Sequence, residues 1–248
     1  MTHQNKRLTK RERRLLREQT RLESEQPNFG LQLKVIKPLT INQNNAFKAY
    51  DADHNLMLHG IAGTGKSFLG MYFALREIFS GLSTKTRLVI VRSVVPTRDM
   101  GFLPGTTKEK EAVYKAPYVA ICEELFGRRD AYTLLENKGI IQFISTSFVR
   151  GVTFNDAIVL VDEMQNCNLH ELDSIITRVG KNTRIVFAGD FRQSDFTNEQ
   201  ERNGLGKFMN IVKSMKSFEF VDFQRQDIVR SSLVKEYIIQ KDELRITV

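Results

Sequence analysis

Gly60-Ile61-Ala62-Gly63-Thr64-Gly65-Lys66-Ser67 follows a short apolar run, residues 56–59, and precedes an amphipathic stretch, residues 68–79. The spacing is G-x-x-x-x-G-K-[ST], and a strand before it with a helix after it is the setting in which that spacing wraps phosphate. Glycines let the backbone approach an anion closely and adopt positive φ values that a Cβ opposes. Successive peptide N–H groups, reinforced by the N-terminus of the next helix, then form an anion nest. Lys66 is expected on the β- and γ-phosphates of ATP and the Ser67 hydroxyl on Mg²⁺. Gly60 through Ser67 are therefore expected to bind the nucleotide.

Two further strand ends complete the pattern. The apolar run 158–161 ends in Asp162-Glu163. A carboxylate at the tip of a buried strand is costly unless a cation holds it, which casts Asp162 as the second Mg²⁺ ligand. Glu163, one position on, is suited to orient and deprotonate an attacking water. That points to hydrolysis rather than phosphate transfer to a small acceptor. The plainer alternative is a pair of solvated acids capping the helix that carries Leu169. The run 185–188 ends in Gly189-Asp190-Phe191-Arg192-Gln193. In this order Gln193 is expected to sense the γ-phosphate, although Gly-Asp after a strand is by itself an ordinary turn.

Outward from these motifs, short apolar runs at 56–59, 88–91, 140–144, 158–161, 185–188 and 218–223 alternate with helical patterns. One such pattern, 169–179, places Leu169, Leu172, Ile175, Ile176 and Val179 on one face, and Gly81 and Gly180 stand at C-cap positions. Strands separated by helices predict an α/β fold, a mostly parallel sheet covered on both faces, with ligands beyond the carboxyl ends of the strands. Pro27-Asn28-Phe29-Gly30 is a break, so residues 1–30 read as an arm and 31–248 as one domain.

The 248 residues carry a net charge of +8, which favours a polyanionic partner. Residues 1–25 hold eight Lys or Arg against four Glu, with Leu8, Leu15 and Leu22 every seventh residue. This is a basic amphipathic helical arm, either solvated or in contact with nucleic acid. No apolar run is long enough to cross a membrane and no leader pattern opens the chain. Cys122 and Cys167 are the only cysteines and the four histidines are scattered, which excludes a zinc site and fits a reducing cytoplasm.

The chain resembles the PhoH-like family, single RecA-type P-loop cores related to the ATPase half of superfamily 1 helicases. The resemblance runs from Leu39 to about Ile239. It rests on Thr40-Ile41-Asn42-Gln43, on Gly101-Phe102-Leu103-Pro104-Gly105 continuing to Ala116-Pro117-Tyr118, and on Arg150-Gly151-Val152-Thr153-Phe154-Asn155-Asp156-Ala157 leading to Asp162-Glu163-Met164-Gln165-Asn166. Thr177-Arg178-Val179-Gly180, the Gly189-to-Gln193 run and Asp227-Ile228-Val229-Arg230 follow in the family's order. Met164 replaces the family's usual Ala, Arg92-Ser93-Val94-Val95-Pro96 lacks its Arg-Pro pair, and Ser231-Ser232 stand in place of His-Pro. The resemblance implies that Gln43 reads the adenine edge.

Arg230 follows the last strand, where its guanidinium fork is suited to a γ-phosphate. A surface pairing with Asp227 is the alternative, and Arg225 and Arg178 are weaker candidates for the same role. Phe102, Tyr114, Lys108, Lys110 and Lys115, within residues 99–115, combine rings and cations as single-strand grips do. Phe102 and Leu103 are equally suited to anchoring that loop in the core.

Two functions remain open at this level. One is an ATPase coupled to RNA or single-stranded DNA; with only one core per chain, unwinding then requires a homo-oligomer, such as a ring. The other is an ATP-gated interaction module without motor activity.

Overall fold

The computed structural model describes residues 30–94, 107–191 and 199–244. The basic arm, Phe102, Leu103 and Gln193 lie outside the described residues. Helix α1 (Ile41–Asp51) leads into β1 (Asn55–Gly60) and α2 (Lys66–Phe79), followed by β2 (Arg87–Arg92), α3 (Thr107–Phe126) and α4 (Ala131–Asn137). Then come β3 (Ile141–Ser145), β4 (Ala157–Asp162), α5 (Leu169–Ile176), β5 (Arg184–Gly189), α6 (Glu199–Ser214), β6 (Phe218–Phe223) and α7 (Ser232–Glu243).

The six strands form one sheet in the order β3-β2-β4-β5-β1-β6, parallel at every pairing. Each apolar run expected to be a strand is one. Alternation along the strands explains the layering. Leu56, Leu58, Leu88, Ile90, Ile158 and Leu160 point to one core, shared with Phe47 of α1, Phe73 of α2, Tyr118 of α3 and Leu135 of α4. Met57, Val89, Val91, Val159 and Val161 point to the other, shared with Leu172 of α5 and Phe208 of α6. All residues of β4 and β5 are buried, as strands covered on both faces require. Helix α7 buries none of its residues.

Chain segments on either side of the sheet dock on this frame. Ahead of α1, Lys34 N donates to Leu125 O at 2.9 Å and Ile36 N to the Tyr72 hydroxyl at 3.1 Å. Helix α5 is shorter than its periodicity predicts. It starts on an Asn168–Glu171 capping box and stops at Ile176, because Val179 leaves it to bridge Phe154. Gly180 is consequently not a helix cap. Its N–H donates to Phe154 O at 2.8 Å, and a Cβ there would stand 2.2 Å from Asn155 Oδ1. Gly81, with φ of 67°, does follow its helix in the left-handed region. Among the described residues, no helix is long and apolar enough to cross a membrane. Both cysteines are free and buried.

The carboxyl ends of β1, β2, β4 and β5 meet where the chain, leaving β1 through α2, crosses to β2 beyond β5 and β4. Ligands of open α/β sheets bind at such a switch point. Gly60, Arg92, Asp162 and Gly189 end those four strands.

Candidate nucleotide site

Strand β1 ends at a glycine because nothing larger fits. Gly60 has φ of 121°, and a Cβ there would stand 2.1 Å from Phe223 O on the neighbouring strand. Gly63 and Gly65 follow at φ of 77° and 86°, which turns successive peptide N–H groups toward one concavity. The loop's carbonyls are held from behind. Gly63 O accepts from Val229 N at 3.0 Å, Thr64 O from Gln43 Nε2 at 3.1 Å, and Ile61 O from Thr64 Oγ1 at 3.1 Å. Ile61 and Thr64 are buried, so they build the back of the loop, while Ala62, Gly63, Gly65, Lys66 and Ser67 line a cavity of about 690 Å³. Lys66 Nζ donates to Gly60 O at 2.6 Å and Ile61 O at 2.8 Å.

Across the cavity stands the end of β4. Ser67 Oγ donates to Asp162 Oδ1 at 2.6 Å, and the Tyr118 hydroxyl donates to Asp162 Oδ2 at 2.9 Å. Asp162 is 3% exposed, so it is not a solvated helix cap; Asn168 and Glu171 cap α5 instead. Burial, and then the Glu163 charge beside it, pushes the Asp162 carboxyl above the usual carboxylate range despite these two donors. A carboxylate in that position calls for a cation. The described residues contain no cluster of three His, Cys, Asp or Glu that could hold a metal alone. Ser67 and Asp162 do fit Mg²⁺, which usually takes one or two protein oxygens and completes its shell with phosphate and water.

Glu163 follows with φ of 50° and ψ of 44°, a left-handed conformation uncommon for a residue with a Cβ. Such backbone costs about 1–3 kcal/mol and gathers at functional sites. Its carboxylate accepts from Gln165 Nε2, and Gln165 Oε1 accepts from Asp190 N at 3.1 Å. Gln165 thus ties the end of β4 to the end of β5. Gly189 makes room for it: a Cβ there would stand 2.4 Å from Gln165 Oε1. Beyond Asp190, Phe191 N donates to His59 Nδ1 at 3.4 Å, which joins the ends of β5 and β1.

Gln43, capped in place by Thr40, is buried on the cavity wall. Its amide is engaged at both ends, donating to Thr64 O and accepting from Leu39 N at 2.8 Å. Arg230 lines the same cavity, its Cγ 3.0 Å from the point a Gly63 Cβ would occupy. The expected alternative partner, Asp227, is fully buried and accepts instead from Asn42 Nδ2 at 2.7 Å and Gln224 N at 2.9 Å. Arg225 is taken up by Asp242 at 2.6 Å and Glu243 at 2.9 Å. Neither Arg225 nor Arg178 lines the cavity.

Besides Gln165, two site residues escaped the sequence reading. Arg92, in parallel register with Asp162, lines the cavity with its guanidinium 5.8 Å from the Tyr114 ring centroid. Tyr118 is completely buried; burial, and then the Asp162 charge, holds the proton on its phenol. An Arg closing a buried apolar strand was a usable signal for the first. The second depends on a tertiary contact, Tyr118 of α3 reaching Asp162 at the end of β4, which no local pattern encodes.

Comparison with known proteins places this geometry. The family profile described as PhoH-like protein matches residues 35–241. The PhoH-like protein of Mycobacterium leprae (strain TN) is 32% identical over 210 residues, covering 83% of this chain and 58% of that relative. The PhoH-like protein of Bacillus subtilis (strain 168) is 28% identical over 211 residues, covering 85% of this chain and 65% of that relative. The chain therefore spans about three-fifths of the length of these relatives. Among solved structures, Bacteroides Pif1 bound to ssDNA aligns with 86% of this chain and 46% of that one, at 15% identity and a TM-score of 0.39. The profile match takes in the phosphate loop, Asp162-Glu163 and Arg230, and the chain belongs to the PhoH-like protein family.

Proposed function

We propose that this chain is a magnesium-dependent ATPase whose turnover is coupled to binding RNA or single-stranded DNA. The observation that carries the reading is the 2.6 Å contact between Ser67 and Asp162, on a cavity that Lys66 and Glu163 also line. The loop's N–H groups receive phosphate oxygens, and Lys66 exchanges two neutral carbonyl partners for the β- and γ-phosphates. Bound Mg²⁺ would be held by Ser67 and Asp162 and would neutralise charge on the phosphate oxygens. Glu163 orients a water and accepts its proton as the γ-phosphoryl group passes to that oxygen and ADP leaves. Arg230 and Arg92, on the cavity wall, add positive charge for the γ-phosphate, and Gln193 keeps the γ-phosphate-sensing role expected from the sequence. Gln43 meets the adenine edge by giving up its bonds to Thr64 and Leu39.

The nucleic-acid half of the reading is supported by the net charge of +8, half of it on residues 1–25. An ATPase assay on the whole chain, with and without short RNA and DNA strands, tests both halves. Magnesium-dependent hydrolysis that rises with one or both strands is expected. Hydrolysis that no nucleic acid stimulates would favour an ATP-gated interaction module, and absence of hydrolysis under all conditions would overturn the enzymatic reading.

A further inference from the structure

Asp162 gives its two oxygens to two different neighbours. Oδ1 accepts from Ser67, at the first turn of α2, and Oδ2 accepts from Tyr118, on α3. Tyr118 has no freedom to leave: it is fully buried, with its ring centroid 6.0 Å from that of Phe143. Arg92 stands beside this pair, in register with Asp162 and with its guanidinium over the ring of Tyr114, one helical turn before Tyr118. The carboxylate is therefore pinned at one oxygen, and only the Ser67 side is presented to the phosphate loop.

We propose that Tyr118 is a positioning residue that caps Asp162 Oδ2, restricts the carboxylate to single-oxygen ligation, and so makes the site select Mg²⁺ over Ca²⁺. This rests on the reading that Ser67 and Asp162 hold the cation. Mg²⁺ is octahedral, with ligands at roughly 2.0–2.1 Å, and is satisfied by one carboxylate oxygen; Ca²⁺ takes 6–8 ligands at roughly 2.3–2.6 Å and readily takes both oxygens of a carboxylate. A carboxylate that cannot turn its second oxygen to the metal withholds that advantage from Ca²⁺. Tyr118→Phe fills the same space, removes the donor and frees Oδ2 to rotate.

The test is equilibrium binding of a fluorescent non-hydrolysable ATP analogue to the full chain in EDTA, in Mg²⁺ and in Ca²⁺, with thermal unfolding followed in parallel. In wild type, Mg²⁺ should strengthen binding more than Ca²⁺ does. Tyr118→Phe should narrow that Mg²⁺/Ca²⁺ ratio by about 10-fold, the usual scale for losing an outer-shell partner, with affinity in EDTA unchanged. Should the phenol prove essential for folding, Phe143→Leu, which removes the ring packed beside Tyr118, should narrow the ratio by a smaller factor. An unchanged ratio, or equal losses in all three conditions, would overturn the proposal. A wild-type chain whose nucleotide affinity responds to neither cation would instead overturn the Ser67–Asp162 cation site, and this proposal with it.

Discussion

Lys66 Nζ donates to the Gly60 carbonyl at 2.6 Å, so the loop's lysine folds back on the strand end from which the loop departs. This carbonyl and that of Ile61 are neutral acceptors, which a phosphate outcompetes. Lys66→Ala should therefore cost only roughly 1–2 kcal/mol of stability, the scale of the lost hydrogen bonds. Turnover should fall by at least ~100-fold with weakened ATP binding, as for loss of a donor to transferring phosphate. Thermal unfolding and steady-state ATPase rates check both expectations; near wild-type turnover would end the phosphate-loop reading.

Glu163 and Asp162 are adjacent in sequence but differ in task. Asp162 points into the sheet end, between Ser67 and Tyr118, whereas the left-handed turn at Glu163 redirects the next carboxylate along the cavity wall toward Gln165. Glu163→Gln should accordingly keep ATP binding and slow hydrolysis by at least ~100-fold, the scale for losing a positioned base. Single-turnover hydrolysis alongside analogue binding separates the two. Parallel loss of both would make Glu163 a metal ligand or a structural residue.

The contrast between these two carboxylates also marks what a sequence can reveal. Strands, their parallel arrangement, the loop and the place of Asp162 at a strand end were legible because each depends on a local pattern: a buried apolar run, a glycine spacing, an acid at a strand end. The end of α5 was misplaced because Val179 has the right helical periodicity yet gains a strand-like pairing with Phe154. Gly180 was misread for a related reason, since its missing side chain serves a close approach to Asn155 rather than a turn. Tyr118 and Gln165 appeared only as letters in a resemblance. What they do is fixed by tertiary crossings, Tyr118 reaching Asp162 over 44 positions and Gln165 reaching Asp190 over 25.

The charge on residues 1–25 gives a separate prediction, since it is half of the chain's net +8. If those cations neutralise phosphates, log affinity for a short strand falls linearly with log salt, by about 0.7 per phosphate contacted on single strands. Deleting residues 1–25 should flatten that slope while ATP binding by the remaining domain is retained. Fluorescence anisotropy across a salt series measures it. An unchanged slope would assign the arm to solvent or to protein contacts.

Arg230 bears on assembly. A guanidinium supplied to a phosphoryl-transfer site is worth on the order of 10³–10⁵ in rate, whether it comes from the same chain or a neighbour. Here Val229 N is hydrogen-bonded to Gly63 O, and Arg230 lies against Gly63 on the wall of its own chain's cavity. The backbone that carries Arg230 is thus fastened to the loop it would serve, which favours action within the chain. Arg230→Ala should lower turnover on the order of 10³-fold with little effect on ATP affinity. Mixing it with Lys66→Ala subunits should restore nothing, because each chain uses its own arginine. Specific activity should also stay flat across dilution even if the chain self-associates through the exposed Leu233 and Tyr237 of α7. Recovery of turnover on mixing would reverse the assignment. It would place the working guanidinium on a neighbour and make a head-to-tail, heterologous interface part of the catalytic unit.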